Sequence, residues 1–128
     1  MPNEASCGFV VSDAAGKSVG YFPSVPTIDE TLLARLSQLD VVLFDGTFWS
    51  DDELIRVQGS GQTARQMGHV PVSGVDGALA RLRAVARPRK MFVHVNNTNP
   101  MLDESSAEYR AVREAGWEIA EDGWQCRL

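Results

Sequence analysis

The pattern of apolar and polar positions along the first half of the chain predicts alternating strands and helices. Two short apolar segments, 7–13 and 17–24, flank a turn-forming stretch and are typical of a β-hairpin. Leucines at every third or fourth position predict a helix that begins near Asp29 and ends at Asp40. The continuous apolar run 41–44 then predicts a strand that is buried on both faces, as in a parallel sheet.

The second half of the chain continues this alternation. The acidic stretch 50–53 is a typical start for a short helix to about Val57, and the glycine-rich segment 59–74 has no clear period. Ser73 is the predicted start of a helix that ends before Pro88, and the run 90–96 predicts a second buried strand. A helix that is capped by Ser105 or Ser106 and ends at Ala115, and a closing hairpin formed by 117–120 and 124–128, complete the pattern. We therefore predict one α/β domain over 1–128, with a central parallel pair of strands.

Composition and charge narrow the function classes. The chain has 128 residues, 44% hydrophobic and 23% charged, which is ordinary for a soluble globular protein. A net charge of −5 argues against a nucleic-acid partner. No apolar run approaches the ~20 residues that span a bilayer, and no signal peptide is recognisable, so a cytoplasmic location is expected. The spacing of Cys7 and Cys126 is not that of a metal site, and a disulfide between them is an alternative to two free thiols.

Three residues of metal-ligand type are expected at one edge of the sheet. Asp45 ends the first buried strand, His94 lies in the second, and His69 lies in the glycine-rich segment between them. Because ligands bind beyond the carboxyl ends of parallel strands, these side chains could converge there on Zn, Fe or Mn. Each also has an ordinary interpretation: Asp45 as a turn residue, His94 as a buried core residue, and His69 as an incidental loop residue.

Two further groups of residues each have a functional and an ordinary structural interpretation. The asparagines of 94–100 could orient a polar substrate or form a turn network. Phe48, Trp49 and Met67 could line a ligand pocket or fill the core.

Three motifs together resemble a known family: LFDGTFW at 43–49, MGHVPVSG at 67–74 and HVNNTNP at 94–100. The chain resembles the carboxy-terminal half of the pyrroloquinoline quinone (PQQ) biosynthesis protein B family, within the metallo-β-lactamase-like superfamily. The resemblance implies an α/β fold that is half of an αββα sandwich, with one mixed sheet and helices on one face.

The resemblance also implies roles for individual residues. Asp45 and His94 match metal ligands, with iron as the expected metal and zinc as the alternative. Asp45 and His69 are the expected catalytic pair, and Thr47 is expected to bond near Asp45. The expected substrate-binding residues, for a small or dipeptide-derived PQQ precursor, are Phe48, Trp49, Asn96 and Asn97.

The implied activity is an iron-dependent oxygenation that hydroxylates the tyrosine of a Glu-Tyr precursor; the alternative is a non-catalytic carrier or transport-assisting module for PQQ or its precursor. The superfamily's main metal motif, an H-x-H-x-D-H-like segment, is absent from these 128 residues. We therefore expect the chain alone to be inactive. We also expect one face of the half-sandwich to be open to solvent in a single chain and to be covered by another copy in a homo-oligomer. This face is expected to carry Val42, Phe44, Phe92 and Val95.

Overall fold

A computed structural model describes residues 6–128 and contains five strands in one mixed sheet, in the spatial order β1-β2-β3-β4-β5. The strands are β1 Phe9–Ser12, β2 Ser18–Phe22, β3 Val41–Asp45, β4 Arg89–Val93 and β5 Trp117–Ile119. β1 pairs antiparallel with β2, and β2 to β5 pair in parallel. The parallel part is thus larger than the predicted central pair.

Four α-helices and two 3-10 turns connect the strands. The helices are α1 Glu30–Leu36, α2 Glu53–Gln58, α3 Ala78–Arg81 and α4 Ala107–Glu114. The 3-10 turns are Arg65–Met67 and Pro100–Leu102. Asp29 and Ser106 cap α1 and α4, because each side chain accepts a hydrogen bond from a backbone amide in the first turn. Within residues 6–128, every helix is too short and too polar to cross a bilayer.

The two faces of the sheet differ in what covers them. One face, which we call the covered face, packs against residues of the helices and includes Val42, Phe44, Phe92 and Trp117. The opposite face, which we call the open face, carries Phe9, Val11, Val19, Tyr21, Leu43 and Val93. All six of these are at least partly exposed.

The prediction of which residues form the open face was therefore wrong. Val42, Phe44 and Phe92 are fully buried and Val95 is partly buried against the same core. Successive strand residues point to opposite faces, so choosing the wrong parity exchanges the two faces. Apolar residues on both faces of β3 and β4 gave no alternation from which the parity could be read.

Two predicted elements differ from the structure. The closing hairpin was wrong: β5 pairs with β4 in parallel, and residues 120–128 contain no strand. The helix expected from Ser73 was also wrong in length, because the Ser73 hydroxyl donates to Trp49 O (2.6 Å) and α3 begins only at Ala78. Cys7 and Cys126 are both free thiols.

Candidate metal centre

The three residues of metal-ligand type meet at the carboxyl edge of β3 and β4. One donor atom from each of Asp45, His69 and His94 lies within 4.8 Å of the others. Asp45 is the last residue of β3 and is completely buried, whereas His94 directly follows β4 and is exposed. The segment 59–74 brings His69 over the same edge. The predicted convergence is therefore present in the fold.

Hydrogen bonds hold the buried Asp45 carboxylate. Its Oδ2 accepts from the Val25 amide (2.8 Å) and lies 2.8 Å from His69 Nδ1. Its Oδ1 accepts from the Thr47 amide (3.1 Å) and the Thr47 hydroxyl (2.7 Å). A buried carboxylate is costly unless it is paired or hydrogen-bonded, and these contacts compensate its burial without an arginine or lysine.

Thr47 connects the carboxylate to both imidazole rings. Its Oγ1 lies 2.8 Å from His94 Nδ1 and 3.1 Å from His69 Nδ1. The hydroxyl donates to Asp45 Oδ1, and the donor in each contact with an imidazole ring depends on the tautomer of that ring.

Ring packing fixes the two histidines further. The His69 and His94 rings stack with centroids 5.5 Å apart, and Phe48 packs edge-on against His69 at 6.0 Å. His94 has φ +56°, a left-handed conformation that is uncommon for a residue other than glycine. Strained backbone of this kind often occurs at functional sites, where the surrounding structure imposes it.

The predicted substrate-binding residues have different settings in the fold. Phe48 is buried, Trp49 is partly buried, and Asn97 is exposed. Trp49 lines a cavity of about 440 Å³. The Asn96 side-chain amide donates to Thr98 Oγ1 (2.6 Å). Contact of any of these residues with a substrate stays a prediction.

Sequence reasoning missed two buried polar residues that connect the loops after β3 and β4. Glu53 accepts from the Trp49 amide (2.8 Å) and from Thr98 Oγ1 (2.6 Å). Asn99 donates to Gly46 O (3.0 Å). Glu53 belongs to the acidic stretch interpreted as a helix start, and Asn99 to the possible turn network, and neither pattern indicates burial.

Comparison with known proteins identifies relatives of this chain. A family model described as a beta-lactamase superfamily domain matches residues 2–95. Coenzyme PQQ synthesis protein B from Xanthomonas campestris pv. campestris (strain B100) is 40% identical over 126 residues, which cover 98% of this chain and 42% of that protein. The same-named protein from Methylobacterium sp. (strain 4-46) is 45% identical over 120 residues, covering 94% and 40%.

A solved structure shows the same fold. The crystal structure of Zn²⁺-bound PqqB from Methylobacterium extorquens superposes with a TM-score of 0.91 and 39% identity, covering 96% of this chain and 44% of that one. The chain thus spans less than half the length of these relatives.

Proposed function

Since this chain belongs to the beta-lactamase superfamily and is homologous to the carboxy-terminal half of coenzyme PQQ synthesis protein B, we propose that it supplies metal ligands for a step of PQQ biosynthesis. The observation that carries the proposal is the cluster of Asp45, His69 and His94, whose donor atoms lie within 4.8 Å of one another. The cluster joins three separate segments of the chain at the sheet edge where α/β proteins bind ligands.

The donor set fits a transition metal. Two imidazoles and one carboxylate are the composition of facial-triad sites for non-haem iron, and zinc accepts the same ligand types. Asp45 and the two histidines are therefore the residues that would hold the ion. We propose iron as the working metal and zinc as the alternative; the zinc-bound relative supports a metal at this fold without deciding between them.

The proposed reaction is hydroxylation of the tyrosine ring in a small precursor derived from glutamate and tyrosine. Iron in the site would supply activation of O₂ for that oxygenation, in which one oxygen atom enters the ring and the other is reduced to water by two electrons from a reductant outside this chain. Among the chain's own residues, His69 and Asp45 are the groups that could hold or move a proton, because His69 Nδ1 and Asp45 Oδ2 are 2.8 Å apart. Trp49, which lies two residues after Thr47 in the loop that follows β3, is our first candidate for contact with the precursor ring.

The isolated chain is expected to bind metal but not to catalyse this reaction. His94 is exposed, and the chain covers less than half of its relatives. Metal binding is therefore the property to test first.

The test is titration of the purified chain with Zn²⁺ and, in the absence of oxygen, with Fe²⁺. Calorimetry measures the affinity, and metal analysis measures the amount of metal bound per chain. We expect about one metal per chain, with affinity reduced at least ~10-fold in His94→Ala and in His69→Ala, since loss of even an outer partner costs ~10–100-fold. Asp13→Asn is the matched control, because Asp13 lies in the β1–β2 turn at the opposite edge of the sheet. Equal metal binding by all four proteins would refute the proposal.

A further inference from the structure

Glu53 connects the two loops that carry the candidate metal centre. Only 3% of Glu53 is exposed, and its two carboxylate oxygens accept hydrogen bonds from different parts of the chain. Oε1 accepts from the backbone amide of Trp49 (2.8 Å), two residues after Thr47 in the loop that follows β3. Oε2 accepts from the hydroxyl of Thr98 (2.6 Å), four residues after His94 in the loop that follows β4.

The contacts continue from Glu53 toward the centre. Thr98 Oγ1 also accepts from the Asn96 side-chain amide (2.6 Å), and the Asn96 backbone amide donates to Thr47 O (3.0 Å). Thr47 in turn contacts Asp45 and both histidine rings. A chain of hydrogen bonds therefore connects Glu53 with all three candidate ligands.

Glu53 differs from the other cross-links between these loops because its acceptor is a carboxylate. Hydrogen bonds to an ionised acceptor are roughly twice as strong as those between neutral groups. A buried carboxylate that loses one partner also pays its full desolvation penalty, so the arrangement favours both contacts being made together. Neither loop can move relative to the other without breaking one of them.

We propose that Glu53 is a positioning residue that fixes the Asp45–Thr47 segment relative to His94 and so prearranges the metal ligands. The expected effect of Glu53 on metal binding rests on the proposed function. The expected effect of Glu53 on the geometry of the metal-free chain does not. Glu53 itself lies outside the group of donor atoms that could hold the ion.

The first measurement needs no metal. In the metal-free chain, proton NMR should show nuclear Overhauser effects between the stacked rings of His69 and His94. We expect Glu53→Ala to lose them and Glu53→Gln to keep most of them, because the glutamine oxygen still accepts from the Trp49 amide. Val112→Ala is the control for general destabilisation: Val112 is a fully buried core residue of α4, and its truncation should leave the ring contacts intact.

The second measurement uses Co²⁺ as a probe, read from its visible absorption. Glu53→Ala should bind Co²⁺ at least ~10-fold more weakly than the unmodified chain, as removal of groups that orient ligands does elsewhere, whereas Glu53→Gln and Val112→Ala should bind it nearly as well. If Glu53→Ala does not fold, Thr98→Val leaves Glu53 Oε2 without its partner while keeping the Trp49 contact, and should show smaller losses in the same direction that exceed those of Val112→Ala.

The outcomes separate the two proposals. Ring contacts and a Co²⁺ spectrum unchanged in Glu53→Ala would overturn the positioning role, as would losses of the same size in Val112→Ala. Absence of the ring contacts in the unmodified chain would overturn it too. An unmodified chain that keeps the ring contacts but takes up no Co²⁺ would refute the proposed function, while the comparison of ring contacts among the variants would still decide the role of Glu53.

Discussion

At the scale of single residues, Asp45 shows how an acid can end a buried strand without a cationic side chain beside it. Its oxygens receive contacts from the Val25 amide, the Thr47 amide and hydroxyl, and His69. Two of these four contacts come from Thr47, which also meets His94. Thr47 thus both compensates the buried charge and contacts a candidate ligand.

Replacing Thr47 tests this dual role. Thr47→Val keeps the shape but removes the hydroxyl, so Asp45 Oδ1 and His94 Nδ1 each lose a partner. We expect the free energy of unfolding to fall by about 1–3 kcal/mol, the usual cost of leaving a buried polar group unsatisfied, measured by urea denaturation. Thr47→Ser retains the hydroxyl and should lose much less. Equal stability of the two variants would show that the hydroxyl contacts contribute nothing.

At the scale of elements, prediction succeeded where the local pattern carries the information. The apolar runs 41–44 and 90–96 correspond to β3 and β4, and Asp29 and Ser106 cap helices where the sequence places them. Prediction failed where distant contacts decide. Ser73 bonds to Trp49 O instead of starting a helix, and β5 finds its partner in β4 instead of the following segment. Likewise, residue types identified Asp45, His69 and His94, but only the fold reveals that Glu53 is buried between two loops.

An ion pair between neighbouring strands gives a pH prediction at this scale. Arg89 of β4 donates to Glu118 of β5 through Nη2 (2.8 Å) and Nε. The Arg89 side chain lowers the pKa of the Glu118 carboxyl from its usual 4.5. A pKa that is lower in the folded state contributes stability above the unfolded value, and this contribution is lost as the pH falls through the folded value.

Glu118→Gln should therefore reduce stability at pH 7 but not at low pH. We expect a loss of ~0.2–1 kcal/mol at neutral pH, the range for partly exposed pairs, which in urea denaturation shrinks as the pH falls below 4.5 and through the lowered folded value. Glu104→Gln is the control, since within residues 6–128 this exposed acid makes no ion pair. A difference between wild type and Glu118→Gln that stays constant over this pH range would contradict the assignment.

At the scale of the whole molecule, the apolar area of the open face remains uncovered along β1 and β2. Phe9 is 63% exposed and Val11 is 68% exposed, and their cross-strand partners Tyr21 and Val19 adjoin them. At the other end of the sheet, Arg89 lies over the ring of Trp124, with its guanidinium carbon 5.3 Å from the ring centroid. Contiguous apolar surface of this kind marks an interaction site in soluble proteins.

We propose that the isolated chain self-associates through this face, so light scattering at high concentration should give a mass above the 14.0 kDa of one chain. Val11→Lys places a charge within the exposed apolar patch on β1 and should shift the protein to a monomer, because burying an unpaired ammonium costs more than the contact gains. Val75→Lys is the matched control: Val75 is 89% exposed and lies outside the sheet, in the segment before α3. If the unsubstituted chain is a monodisperse monomer, it does not self-associate, and the proposal is contradicted. If Val11→Lys and Val75→Lys dissociate the assembly equally, association does not occur through the open face, and the proposal is also contradicted.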